Sequence, residues 1–336
     1  QRYGNELAKE MKGIDVILGT QKLDSTAIPS DVSLTPKHYA YVKICESCYN
    51  RCSFCIIPKI KGKFVSRTIE SVVEEVKRLD ARGVKEINLI GQDITAYGMD
   101  LYHQFALARL LKAIIPVTKN IQWVRLLYAF PAHATDELID VMASEPKICK
   151  YIDIPLQHIS DNILSSMNRN INKQGTIDLI QKFKQKIPTG SLRTTFIVGL
   201  PGETGENFQE LLRFIQEARF EKVGVFVYSH EEGTEAYAMP DQVPATLKKK
   251  RMNQLMQIQQ KISSTIQESC VGRTVRVLIE EPQKNESNLY LGRTEYDAPE
   301  VDGVVFVRST KKLEPGDFVD VNITDAYEYD LAGDAV

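Results

Sequence analysis

The sequence predicts an α/β fold, a partial TIM-like barrel of six parallel βα units, followed by a small antiparallel β-barrel. Three observations carry that expectation. Short apolar runs alternate with amphipathic stretches of helical period from Tyr39 to about Glu268. Helix-entry signals stand where the helices should begin. Beyond Glu268 the texture changes to short alternating segments separated by Gly and Pro.

Taken in order, strands are expected at 39–44, 85–90, 122–127, 151–154, 192–198 and 223–228. Helices are expected at 68–82, 104–114, 135–144, 160–168 with 173–186, 204–218 and 246–268. Thr68 with Glu70, Thr135 with Glu137, and Thr204 with Glu206 supply entry signals. Strands alternating with helices of this length argue for parallel βαβ units, and an open doubly wound sheet is the competing arrangement. The segments 273–280, 288–293, 303–308 and 317–324 read as a small antiparallel barrel or sandwich, with Gly272, Gly292, Gly303 and Gly316 at the turns. Residues 1–36 read as a helix from Glu6 to Lys12, an apolar run Val16-Ile17-Leu18 and a linker to Pro36, the tail of a preceding domain. The domains are therefore expected at 1–36, 37–268 and 269–336.

With 336 residues, 43% of them hydrophobic, the chain can bury one large core and a satellite. Without a stretch of about 18 apolar residues, a membrane span is excluded. The amino terminus has neither an initiator Met nor a signal-peptide pattern, and reads as the cut edge of a longer protein. Four of six cysteines, Cys45, Cys48, Cys52 and Cys55, fall within eleven residues, too crowded for a disulfide framework. Metal binding in a reducing, cytoplasmic setting fits better. The net charge of −2 hides an asymmetry. Residues 269–336 carry seven Lys/Arg against fourteen Asp/Glu, a balance of −7, which leaves +5 on the rest.

Cys48, Cys52 and Cys55 are spaced four and then three residues apart directly after the first strand. Three thiolates so placed can wrap one [4Fe–4S] cubane and leave its fourth iron without a protein ligand. An open metal position is what catalysis requires, and the loop stands at the carboxyl end of a strand, where βα folds place their chemistry. A structural zinc site that recruits Cys45 and a chance group of buried thiols are the alternatives.

That spacing, with Phe54 before the last cysteine, resembles the signature of the radical S-adenosylmethionine superfamily. The resemblance implies that the open iron takes the amino and carboxylate groups of S-adenosylmethionine. An electron from the cluster then breaks the sulfonium bond to give a 5′-deoxyadenosyl radical. It also places Phe54 near the adenine, unless Phe54 merely packs. Gly91-Gln92-Asp93 ends the second strand, where the superfamily carries a Gly-rich segment that receives the amino group; an ordinary βα turn is the alternative. Arg193 would pair with the methionyl carboxylate, and the Gly199 to Glu203 turn would flank the adenosine. A surface ion pair and a helix entry capped by Thr204 compete with those roles. Gln157 and His158 follow the fourth strand at the barrel mouth. His38, His103, His133 and His230 receive no functional assignment, and Cys149 and Cys270 read as small buried hydrophobes.

Nearly the whole chain is similar to the methylthiotransferases. Cys55-Ile-Ile-Pro58 with Lys61-Gly62, Gln92-Asp93-Ile-Thr-Ala-Tyr97-Gly98, and Arg125-Leu-Leu-Tyr128 with Pro131 carry the likeness. Asp153-Ile-Pro-Leu-Gln-His158-Ile-Ser-Asp161 with Met167-Asn-Arg169, and Gly292-Arg-Thr-Glu-Tyr-Asp297-Ala-Pro-Glu300-Val-Asp302-Gly303, resemble the RimO branch. The resemblance implies a methylthio transfer to the β-carbon of an aspartate in small-subunit ribosomal protein number twelve. It also implies a terminal TRAM domain and a second [4Fe–4S] cluster in an amino-terminal domain absent from this stretch, so the chain as given is not expected to complete sulfur transfer. The MiaB branch, which modifies a transfer-RNA adenosine, is the nearest rival, and a non-enzymatic metal-stabilised binding module is another. An acidic last domain suits a basic ribosomal protein and suits RNA poorly, so RNA is not an expected partner. The electron donor is left unassigned.

Overall fold

The computed structural model describes residues 35–284, 286 and 288–336, so the elements expected within residues 1–34 lie outside the described residues. In chain order the first strands are β1 (Tyr39–Lys43), β2 (Cys45–Glu46), β3 (Val65–Ser66) and β4 (Glu86–Ile90). β5 (Trp123–Leu126), β6 (Ile148–Asp153), β7 (Ser191–Val198) and β8 (Lys222–Val227) complete the first domain. Its helices are α1 (Ile57–Lys61), α2 (Ile69–Ala81), α3 (Leu107–Ile114) and α4 (Asp136–Ser144). α5 (Asp161–Ser166), α6 (Lys173–Lys186), α7 (Gly205–Ala218) and α8 (Ala245–Glu268) follow. The helix entries form as their residues dictate: the hydroxyls of Thr68, Thr135 and Thr204 accept from Ser71, Leu138 and Asn207 N–H groups.

The large sheet is wholly parallel, and its order β1-β4-β5-β6-β7-β8 follows the chain without reversal. That order removes the doubly wound alternative, which needs a point where strand order turns back. Right-handed crossovers, the rule for parallel strands, put the connecting helices on one face. The alternation along each strand agrees. Val42, Leu89, Leu126, Ile152 and Phe196 share a core with Val76, Leu111, Leu138 and Leu211 of the helices. The opposite, concave face presents Trp123, Leu127 and Tyr151 to Leu278 and Ala298 of the last domain.

That domain comprises β9 (Thr274–Pro282), β10 (Leu289–Thr294), β11 (Val305–Arg308), β12 (Phe318–Ala326) and β13 (Leu331–Ala335), closed into a five-stranded barrel. Four pairings are antiparallel, as expected, and the fifth, β11 with β13, is parallel. β13 gives no strand signal because Leu-Ala-Gly-Asp-Ala has no β-branched residue. Its glycine is needed for closure: a Cβ on Gly333 would meet the Asn322 carbonyl oxygen at 2.3 Å. Gly292 also departs from expectation. It lies inside β10, at a register shift against β9, and not in a turn.

The two domains are joined by buried charge. Glu86 at the start of β4 accepts from Arg125 Nε at 2.7 Å and from Arg293 Nη2 at 2.6 Å. Arg293 also donates to Glu280, whose other oxygen meets His38 Nε2 at 2.8 Å. Tyr39 donates to Glu300, Tyr151 to Asp302, and Lys222 to Asp297. The acidic motif between Gly292 and Gly303 is thus a plug in the concave face. This corrects the charge argument made from composition. Among the exposed residues of 269–336, nine carboxylates face six cations, so the exposed side chains carry −3 of the domain's −7.

Candidate active site

β2 and β3 pair through Cys45↔Ser66 and Glu46↔Val65, gathering the intervening loop into a lobe beyond the carboxyl end of β1. Cys55 N–H closes a turn onto the Cys52 carbonyl, and α1, with Pro58 in its first turn, carries the chain out. Cys48, Cys52 and Cys55 then line one open cavity of about 760 Å³, with Arg51, Lys59 and Glu235 on its rim. Ser53 fastens the lobe to the barrel: its hydroxyl donates to the Ser166 carbonyl at 2.6 Å and its own carbonyl accepts from Ala236 N–H.

N–H donors surround the sulfurs. Asn50 Nδ2 lies 3.7 Å from Cys48 Sγ, and Arg169 Nη1 lies 3.6 Å from Cys52 Sγ. Burial pushes the Cys48 thiol up to about 11 and raises Cys55 as well, so both stay protonated until a metal displaces the proton. The donor set fits a cubane: each thiolate takes a separate iron corner, so the three need only line one cavity. A zinc site instead requires convergence on one point. Among the described residues, no group of three or more His, Cys, Asp or Glu is placed to hold a single metal ion.

The expected cofactor residues divide. Phe54 packs in one apolar cluster with Ile197 and Leu200 at the end of β7, which ties the cysteine loop to the far side of the barrel mouth. Gln92 and Gln157 each keep a buried amide oxygen without a partner, and Gln157 holds φ +71° while its backbone bonds to β7. Gly91 and Gly199 are confined by neighbours, since a Cβ on them would meet Cys45 Sγ at 2.4 Å and Lys248 Cγ at 2.3 Å.

The one expected side-chain pairing, Arg193 with a methionyl carboxylate, finds protein partners instead, and the Glu203 and Asp93 carboxylates of the two expected segments are engaged within the fold. Arg193 faces the concave side four residues before Ile197, roughly 13 Å lower at strand rise. There it pairs with Asp153 at 2.9 Å and Asp302 at 3.4 Å, and does not reach the cysteine loop. Glu203 is fully buried and accepts from Gly199 N–H and from Arg251 Nη1 at 2.8 Å, bracing its own turn. The Asp93 carboxylate is filled within the fold: Oδ1 accepts from Thr95 and Ala96 N–H, and Oδ2 meets Asn50 Nδ2 and His133 Nδ1 at 2.7 and 2.9 Å. His158 is buried, and loss of solvation lowers it to about 3, which leaves it neutral. Asn50 was not singled out in the sequence, His133 received no functional assignment, and Arg169 stood only within a family motif. Arg169 lies 117 residues from Cys52, so no spacing could connect them.

The comparisons agree with this geometry. A model of the radical SAM superfamily matches residues 42–215 and a model of the TRAM domain matches residues 271–336. The ribosomal protein uS12 methylthiotransferase RimO of a Thermoanaerobacter species is 46% identical, over 99% of this chain and 81% of that protein. The proteins of that name from Christiangramia forsetii and Desulfitobacterium hafniense are each 44% identical, over 99% and 100% of this chain and 76% and 80% of theirs.

The chain belongs to the RimO methylthiotransferase family. It is a radical SAM enzyme whose family works with a [4Fe–4S] cluster and S-adenosylmethionine. Among the described residues no helix is long and apolar enough to cross a membrane. In this RimO-family site Cys45 is set apart from Cys48, Cys52 and Cys55, which line the cavity. It is fully buried, with Sγ 3.5 Å from the Asp93 carbonyl. We expect Gly91→Ala to destabilise the fold by ~1–3 kcal/mol through the clash with Cys45. Cys45→Ala should relieve it in the double variant while iron content stays at the wild-type level; a drop in iron for Cys45→Ala would make Cys45 a ligand.

Proposed function

We propose that this chain carries out the radical half of methylthio transfer to the β-carbon of an aspartate in ribosomal protein uS12. The reading rests above all on three thiols lining one cavity at the carboxyl end of a parallel barrel, in a family whose named members modify that protein. The substrate assignment draws on those names more than on charge, because less than half of the last domain's acidity stays exposed.

Cys48, Cys52 and Cys55 would hold the cluster and release their protons as it binds. When bound, it supplies the single electron that cleaves S-adenosylmethionine to a carbon radical, the species needed for a C–H bond that no side-chain base can open. Phe54, Ile197 and Leu200 form an apolar cluster that fastens the cysteine loop against the end of β7. Gln92 and Gln157 stand at the ends of their strands with amide groups free to orient the polar parts of S-adenosylmethionine. Gly91 and Gly199 let their turns pack against Cys45 and Lys248, where a side chain would clash. Arg193, Glu203 and the Asp93 carboxylate shape the barrel and its loops without contacting the cofactor. The inserted sulfur we assign to a second [4Fe–4S] cluster outside the described residues, and the methyl group to a second S-adenosylmethionine.

The test is anaerobic reconstitution of the full-length protein, followed by incubation with S-adenosylmethionine, dithionite and either purified uS12 or transfer RNA. We expect 5′-deoxyadenosine release and the mass of a methylthio group on an aspartate peptide of uS12. The same mass gain on a transfer-RNA adenosine, with uS12 untouched, would overturn the substrate. One zinc per chain and no deoxyadenosine would overturn the enzyme.

A further inference from the structure

We propose that Asn50 and Arg169 are positioning residues that raise the reduction potential of the cluster, each by directing an N–H at a ligating sulfur. The inference rests on Cys48, Cys52 and Cys55 holding a cluster, and names how the surrounding chain tunes it. A donor or a positive charge beside a thiolate stabilises the reduced cluster, which carries one more negative charge, over the oxidised one.

Both donors are held in place by further partners. Asn50 is buried, and its Nδ2 is shared between Cys48 Sγ at 3.7 Å and Asp93 Oδ2 at 2.7 Å. Asp93 is immobilised in turn by the Thr95 and Ala96 N–H groups and by His133. The His133 ring is packed against Phe105 and Phe130, each with centroids 4.8 Å away, and meets the edge of Tyr49 at 6.1 Å. A side-chain amide anchored this firmly at one end has little freedom to turn from the sulfur.

Arg169 arrives from the opposite side. Its Nη1 lies 3.6 Å from Cys52 Sγ, its Nη2 donates to the Pro155 carbonyl, and its guanidinium lies over the Phe130 ring at 4.0 Å. Among the described residues no carboxylate stands within ion-pair distance of it, and its Nε is buried without a partner. The charge is therefore not neutralised by an acid and acts on the neighbouring Cys52 sulfur. Phe130 touches both arms, carrying Arg169 on its face and His133 at its side. One aromatic ring thus fixes the spacing between the two donors.

The experiment is a potentiometric titration of anaerobically reconstituted full-length protein, followed by electron paramagnetic resonance, with iron and sulfide measured on every sample. The variants are Asn50→Ala, Asn50→Ser, Arg169→Ala and Arg169→Lys. We expect wild-type iron content with a midpoint potential shifted downward in Asn50→Ala and Arg169→Ala. Asn50→Ser and Arg169→Lys, which restore a donor or the charge, should recover part of the shift. Midpoints equal to wild type in loaded variants would overturn the proposal. So would loss of iron from Asn50→Ser and Arg169→Lys, which would make both residues parts of the loop's scaffold. A wild-type protein that holds no cubane would instead fail the reading of the site itself.

Discussion

Replacing Cys48, Cys52 or Cys55 singly by alanine is expected to abolish both cluster retention and 5′-deoxyadenosine release. Each thiolate would take one corner of the cubane, and two protein ligands from one short loop would not secure it against loss to solvent or chelator. The fold should survive, because all three sulfurs face the cavity and none belongs to the apolar cores. The thermal transition of the variants should therefore stay near that of cluster-free wild type. Anaerobic iron and sulfide analysis checks the first part and product chromatography the second. Any one of the three alanine variants that kept wild-type iron and still released deoxyadenosine would end the assignment of the site.

Arg293→Ala is expected to destabilise the protein by ~3–5 kcal/mol, because it leaves a buried carboxylate short of its partner. Glu86 is wholly enclosed and shared between Arg125 and Arg293, and the same guanidinium holds Glu280, which in turn holds His38. At the size of this chain the melting temperature should fall by roughly 10 °C. Arg308→Ala provides the control. Its pair with Asp334 is more than half exposed on both sides, so the loss should be under ~1 kcal/mol. Calorimetry on the three proteins decides the matter, and equal melting temperatures for wild type and Arg293→Ala would contradict the interdomain clamp.

The same network sets an acid limit. Burial pushes Glu86, Glu280 and Asp297 up, but the cations facing them win: Arg125 and Arg293 hold Glu86 down, His38 and Arg293 hold Glu280, and Lys222 holds Asp297. A carboxylate depressed in the folded state contributes stability that is present above its unfolded value, about 4, and is lost as pH falls below it toward the folded value. Wild type should therefore lose stability below about pH 4 more steeply than Arg293→Ala, in which part of that contribution is already missing.

Much of this was legible in the residues because the relevant physics is local. Strand and helix positions fell within three residues of expectation, since burial on one face imposes periods of two and of 3.6, and Thr68, Thr135 and Thr204 cap helices from within their own turns. The cysteine loop was legible for the same reason: one short segment supplies all three thiols. The short β2–β3 pair, α1 and β13 were not, being too brief or too weak in propensity to register without their partners.

Only the tertiary structure decided what the polar side chains do. Arg193 and Glu203 looked like cofactor contacts because they sit in the right segments, but a charged side chain answers to whatever the fold brings within a few ångströms. For Arg193 that is Asp153 and Asp302, the latter from the other domain; for Glu203 it is Arg251 on α8. The acidic motif near Asp297 reads as surface charge in the chain and becomes an interdomain plug once the barrel closes beneath it. By itself the sequence determined the repeating βα frame, the small closing barrel and the trio of thiols, because these follow from periodicity and short-range spacing. That Arg293 is buried against Glu86, and that Arg169 meets the Cys52 sulfur, depended on residues more than a hundred positions apart, and the chain records no such distance until it is folded.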